Sequence, residues 1–367
     1  MKGLKDLGKY RPLCHTGRGL LLYKTNKLYL MDYENENITD VGTLPASGIK
    51  NLLASKSRLF ERMFRSYARS SIAVNNGALV TYNCGIYNVD FDKKTIKREH
   101  DFCTGMNNPI SFAEINNIKG FDDCVAYGEY TWNPSSGPVS ICSRNKSGKW
   151  SVAYTFERGT IKHIHAIVPD HFRNNVLILT GDEDKESGFW IAEDNFKAVR
   201  PLIVGKQRYR SCAAWPHKEG ILYATDTPLE NNFLCFISES NNLHPEIVYE
   251  MPGPCIFSAK IGDEYYFSTS VEPDSNIKGK RYLFTYKLGS GVKERKSFVI
   301  AGNLEKGFSP VCEFKKDIWP MTLFEFGNIQ FPGGEIKNNI IMYPVSVKKY
   351  DGKTVVYEIK KDEYKTT

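Results

Sequence analysis

The sequence has no apolar run approaching the roughly 20 residues that span a bilayer, no CxxC pair, and no window in which a helical stripe persists. The first absence excludes a helical membrane protein. The segment from Met1 to Cys14 carries Lys2, Lys5, Asp6 and Lys9 and no apolar stretch of signal-peptide length, so export by that route is not expected. The nine cysteines are scattered singly and are odd in number, which argues against a disulfide framework and a zinc ribbon. They fit a reducing, cytoplasmic setting. Alanine is sparse, whereas β-branched residues are abundant beside 21 Tyr and 21 Phe, a balance that favours strands packed on strands. The net charge of +7 is spread along the chain without a nucleic-acid motif, so no nucleic-acid partner is expected. The run from Lys348 to Lys365 mixes Lys, Asp and Glu and reads as a solvated edge.

What is present is a series of short alternating segments separated by Gly, Asn, Asp and Lys turns. They group in fours. One group has strands near Ile110 to Ala113, Cys124 to Tyr130, Pro138 to Cys142 and Trp150 to Phe156, and the next near Lys162 to Val168, Val176 to Thr180, Gly188 to Glu193 and Ala198 to Ile203. A third runs Tyr209 to Ala214, Ile221 to Thr225, Phe233 to Ile237 and Glu246 to Tyr249; a fourth runs Cys255 to Ile261, Tyr265 to Thr269, Tyr282 to Leu288 and Lys296 to Ile300. A last group spans Pro310 to Ile359, and two less regular ones cover Gly19 to Leu44 and Ser71 to Phe102. About 50 residues per four-stranded unit is the spacing of propeller blades. The expected fold is an all-β, single-domain β-propeller over residues 1–367 with seven blades, six being the alternative and a β-sandwich the runner-up architecture. Residues 46–69 form a partly helical connection in the first blade region, with Ile49 to Ala68 the best helical window.

In a propeller blade, the start of the first strand and the loop from second to third strand lie on one face. Lys162-His163-Ile164-His165 opens a first strand, and period-two alternation places His163 and His165 on one side of it. The loop after the second strand of that blade holds Asp182 and Asp184. The next blade opens with Gln207-Arg208-Tyr209-Arg210 and carries Asp226 and Asn231 in its equivalent loop, and the preceding blade contributes Glu129, Tyr130 and Trp132. Each element has an ordinary reading: a structural histidine pair, solvated acidic turns, an Asp-stabilised turn, an inter-blade ion pair through Arg210. Their shared face is what points to a site.

The stretch Ser143-Arg144-Asn145-Lys146-Ser147-Gly148-Lys149-Trp150 resembles the Asp box of sialidase-type propellers, with Asn145 in place of the Asp and the Gly displaced by one. The order Tyr127-Gly128-Glu129-Tyr130, His163-Ile164-His165, Thr180-Gly181-Asp182, Gln207 to Arg210, Thr225-Asp226 is similar to sialidase-like (BNR type) propeller proteins of bacterial polysaccharide loci, best from Asp122 to Asn232. No sialidase arginine triad with its Tyr and Glu partners is present. The resemblance implies a carbohydrate partner and a carbohydrate-active enzyme, of glycoside hydrolase or polysaccharide lyase type. A hydrolase would draw its acid and its second carboxylate from Glu129, Asp182, Asp184 and Asp226. A lyase would use His163 or His165 as base, with Arg210 neutralising a uronate carboxylate. Tyr130 and Trp132 would stack on sugar, and Gln207, Arg208, Asp226 and Asn231 would bind it. No cofactor is required, although His163, His165 and Asp182 could hold a divalent metal ion. A non-catalytic glycan- or protein-binding propeller, or a sugar-transferring enzyme of polysaccharide assembly, is the alternative. The sequence leaves the oligomeric state open.

Overall fold

The computed structural model describes residues 4–103, 105–336 and 339–358. They form seven four-stranded antiparallel sheets in a ring, a seven-bladed β-propeller. Blade 1 consists of Arg11–Thr16, Gly19–Lys24, Lys27–Met31 and Ile38–Thr43; blade 2 of Ser71–Val74, Gly77–Tyr82, Gly85–Asp90 and Thr95–Asp101. Blade 3 consists of Ala113–Ile115, Cys124–Gly128, Val139–Asn145 and Trp150–Phe156; blade 4 of His163–Asp170, Asn175–Gly181, Gly188–Glu193 and Ala198–Val204. Blade 5 is built from Ser211–Pro216, Ile221–Thr225, Asn232–Ile237 and Glu246–Met251, and blade 6 from Cys255–Ile261, Glu264–Thr269, Lys296–Asn303 and Gly307–Lys315. Blade 7 takes Asn328–Gln330, Ile340–Val345 and Val355–Tyr357 and is completed by the N-terminal strand Leu4–Asp6, so the two ends of the chain close the ring together.

The alternation of apolar residues explains why the blades stack. In Asn175–Gly181 every residue is buried. Val176 and Ile178 join a core shared with blade 3, while Leu177 and Leu179 join one shared with blade 5. A second strand therefore supplies both neighbours at once, and continuous apolar runs such as this mark it in the sequence. Similar cores lie at the other blade junctions.

Three departures from the sequence reading have physical causes. The segment Tyr282 to Leu288, read as a third strand, holds the helix Lys280–Phe284 instead, inside a long excursion between the second and third strands of blade 6. Its alternation is misleading because Leu283, Phe284 and Tyr286 are exposed. Lys296–Asn303 is consequently the third strand of blade 6, and Pro310 sits in the fourth, opposite Ile300, rather than opening the last blade. Blade 1 begins at Arg11, before the Gly19 boundary, because its first strand carries Pro12 and polar residues that hide its pattern. The predicted end at Ile359 lies outside the described residues.

The helical connection resolves into two short helices, Ile49–Ala54 and Arg58–Phe64. No helix of the described residues is long and apolar enough to cross a membrane. Asn145, the Asp-box-like residue, tightens the turn between the third and fourth strands of blade 3. Its side-chain oxygen accepts from the Ser147 N–H at 3.1 Å, the Ser147 hydroxyl at 2.7 Å and the Lys149 N–H at 3.0 Å.

Candidate functional site

The first strand of blade 4 delivers two imidazoles to the propeller face. A β-bulge falls between Ile164 and Ala166, leaving His165 without a partner across the ladder. Bulges re-aim side chains, and the same irregularity recurs at Cys212 in blade 5. Both histidines are buried, with their Nε2 atoms 3.1 Å apart. His165 Nδ1 lies 3.1 Å from the carbonyl oxygen of Ser211. A carbonyl can only accept, so Nδ1 carries the proton and the Nε2 lone pair is left facing His163. Gly181 makes room for this packing: a Cβ there would lie 2.6 Å from His165 Cε1 and 2.9 Å from Arg210 Cγ.

Asp182, at the end of the second strand, completes the group. Its Oδ2 is 3.3 Å from His163 Nε2 and its Oδ1 is 3.6 Å from His165 Nε2. Arg210 reaches Asp182 from blade 5, with Nη2 2.9 Å from Oδ1 and Nη1 donating to the Asp182 carbonyl at 3.2 Å. Gln207 Nε2 donates to that carbonyl at 2.8 Å. Tyr130 packs at a tilt beside the pair, its ring centroid 4.4 Å from that of His163 and 6.3 Å from that of His165. Beyond Arg210, Asp226 lies 3.8 Å from Nε and accepts from the Cys212 thiol at 3.2 Å.

The electrostatics follow from these contacts. Burial alone would raise the Asp182 carboxyl, but the hydrogen bond from His163 and the charge of the Arg210 guanidinium outweigh it and hold the group far below the usual carboxylate range. Burial lowers His165, against a weaker opposite pull from Asp182, and favours its neutral form. Burial also opposes the Arg210 charge, yet Asp182 and Asp226 keep it protonated. Glu272 is pushed up to about 7, first by burial and then by the charge of Asp226. The carboxylates outnumber the single guanidinium, so the cluster favours a cation over an anion.

Several residues expected at the site sit elsewhere on the face. Asp184 is exposed, in the short turn Asp184–Glu186. The Glu129 carboxylate accepts the Ser140 N–H at 2.7 Å and the Cys103 thiol at 3.0 Å. Trp132 is 84% exposed. Arg208 lies over the Phe233 ring, 4.0 Å from its centroid. Asn231 is exposed, and its buried neighbour Asn232 ties the loop by donating to the Thr227 carbonyl at 2.7 Å and accepting its N–H at 3.0 Å. The site also contains groups that the motif reading passed over: the Ser211 carbonyl, Cys212 and Glu272. Glu272 follows the second strand of blade 6 as Asp182 and Asp226 follow theirs, so extending that rule one blade further finds it.

His163, His165 and Asp182 offer donor atoms that all lie within 4.8 Å of one another, as do His165, Cys212 and Asp226. Two imidazoles and a carboxylate suit several divalent ions. Two ligands roughly at right angles around an ion, each about 2.1 Å from it, stand about 3 Å apart, close to the observed 3.1 Å between the ring nitrogens. The donor set therefore fits a divalent cation.

Fold and cluster together define a seven-bladed propeller with a histidine–carboxylate group on one face. No known protein family and no curated protein matches the chain in sequence. Among solved structures, an oligogalacturonate lyase in complex with manganese is similar, with a TM-score of 0.58, 9% identity, and coverage of 99% of this chain and 94% of that one. A chain of the mitotic checkpoint complex is similar at a TM-score of 0.51 and 7% identity, covering 98% of this chain and 94% of that one. At such identities the likeness shows the fold alone.

Proposed function

We propose that this chain is a carbohydrate lyase that acts on uronate-containing oligosaccharides with a divalent cation held by His163, His165 and Asp182. The observation that carries the reading is the convergence of two buried Nε2 atoms on one carboxylate. The bound cation would neutralise the uronate carboxylate and acidify the proton beside it. The reaction removes that proton, forms a carbon–carbon double bond, breaks the glycosidic carbon–oxygen bond and returns a proton to the departing oxygen. Arg210 acts on Asp182 rather than on sugar: its Nη atoms and Gln207 fix both the carboxylate and the backbone of that residue. Tyr130 holds the His163 ring from the side. In a cation-free form of the same elimination, the neutral His165 imidazole is the group suited to take the proton.

A hydrolase needs one carboxyl kept protonated near neutrality; Asp182 is held far on the ionised side, so that role would fall to Glu272, which is pushed up to about 7, whereas the two imidazoles converge on Asp182. Kinship with sialidases rests on the Asn145 turn and the motif order. The free cysteines support a reducing compartment.

The test is release of unsaturated uronate from oligogalacturonate, followed by ultraviolet absorbance with and without added Mn²⁺. Turnover should require the ion and fall at least about a hundredfold in His163→Ala and in His165→Ala. Binding of the oligosaccharide without any elimination would instead favour a glycan-binding propeller.

A further inference from the structure

One arginine on this face is not used by the site. Arg69 leads into the first strand of blade 2, at the ring position that Arg210 occupies in blade 5. Its backbone is well fixed. Ala68 and Ser70 are buried, and the Ser70 hydroxyl donates to the Pro109 carbonyl at 2.6 Å, while its N–H donates to the Thr81 hydroxyl at 3.0 Å. Arg69 as a residue is half-buried, and its guanidinium makes no hydrogen bond or ion pair among the described residues; it approaches the Tyr130 ring, whose centroid lies 5.9 Å from Cζ. Arg11, Arg58, Arg62 and Arg210 all donate to protein oxygens.

Two features make this an open binding group rather than an idle one. Arg69 lines the central channel, a cavity of about 450 Å³ with Phe112, Cys212 and Gln330 among its walls. Tyr130, the ring that Arg69 approaches, also packs against His163, with ring centroids 4.4 Å apart. The free cation and the histidine cluster are thus joined through one side chain.

We infer that Arg69 binds a uronate carboxylate of the sugar chain engaged at His163, His165 and Asp182, making the ligand an acidic rather than a neutral oligosaccharide. The inference rests on the reading above. A guanidinium without an oxygen partner gains most from a planar anion that takes two parallel N–H bonds. A hydroxyl offers one neutral acceptor and leaves the charge uncompensated. Arg210 cannot take this role, because its Nη atoms are already committed to Asp182.

The experiment is calorimetric titration of trigalacturonate and its methyl ester into Mn²⁺-loaded wild type, Arg69→Ala and Arg69→Lys, with Mn²⁺ titrated alone as a control. Wild type should prefer the acid. Arg69→Ala should lose on the order of tenfold to a hundredfold in acid affinity, with ester and Mn²⁺ binding unchanged and part of the preference restored in Arg69→Lys. An undiminished preference for the acid in Arg69→Ala overturns the inference while leaving the lyase reading intact. Arg69-dependent acid binding without elimination supports the inference and defeats the lyase. Failure of wild type to bind either sugar defeats both.

Discussion

Glu272 shows how the surplus of negative charge on the face is absorbed. It is buried next to Asp226, accepts from the Ser270 hydroxyl at 2.5 Å, and is pushed up to about 7. A carboxyl with a raised folded-state pKa binds more protons folded than unfolded between the ordinary value near 4.3 and that raised value. Its stabilising contribution is therefore complete at acidic pH and is lost as pH rises through about 7. Glu272→Gln, which copies the protonated shape, should melt with the wild type near pH 4 and above it by about 2–4 °C near pH 8. Melting curves at the two pH values check this; an equal offset at both would mean that Glu272 stays ionised in the folded protein.

At the level of elements, the helix Arg58–Phe64 bridges distant parts of the ring. Arg62 Nε donates to the Phe324 carbonyl at 3.1 Å, and Nη2 reaches Asp317 at 2.8 Å and the Ser346 hydroxyl at 2.6 Å. One side chain thus ties the connection between blades 1 and 2 to blade 7 and the connection before it. Removing one partner of a buried ion pair leaves the other charge uncompensated, so Arg62→Ala should cost about 3–5 kcal/mol in urea unfolding. A loss below about 1 kcal/mol would mean that water replaces the contact. The blades were legible because runs such as Val176 to Thr180 must feed two cores at once. Blade 6 was not, since the exposed aromatics around Phe284 mimic a strand's alternation. The site was legible where strand starts and second loops carry ionisable residues. It was obscure where a bulge or a backbone carbonyl sets the geometry: period two alone does not reveal the bulge at His165, and composition gives no sign that the Arg69 guanidinium has no oxygen partner among the described residues.

For the whole molecule, ring closure by Leu4–Asp6 and the stacking of seven blades fix one face, to which blades 2 to 6 contribute in turn Arg69, Tyr130, His163 with His165, Arg210 and Glu272. The fold supplies position, whereas the candidate site draws on two neighbouring blades, His163, His165 and Asp182 of blade 4 meeting Arg210 of blade 5. The most direct measurement is an anomalous difference map from a crystal soaked in Mn²⁺. A single strong peak is expected about 2.0–2.3 Å from both Nε2 atoms and from an Asp182 oxygen. A map with no peak at these residues, or with manganese bound only elsewhere on the propeller, would contradict it.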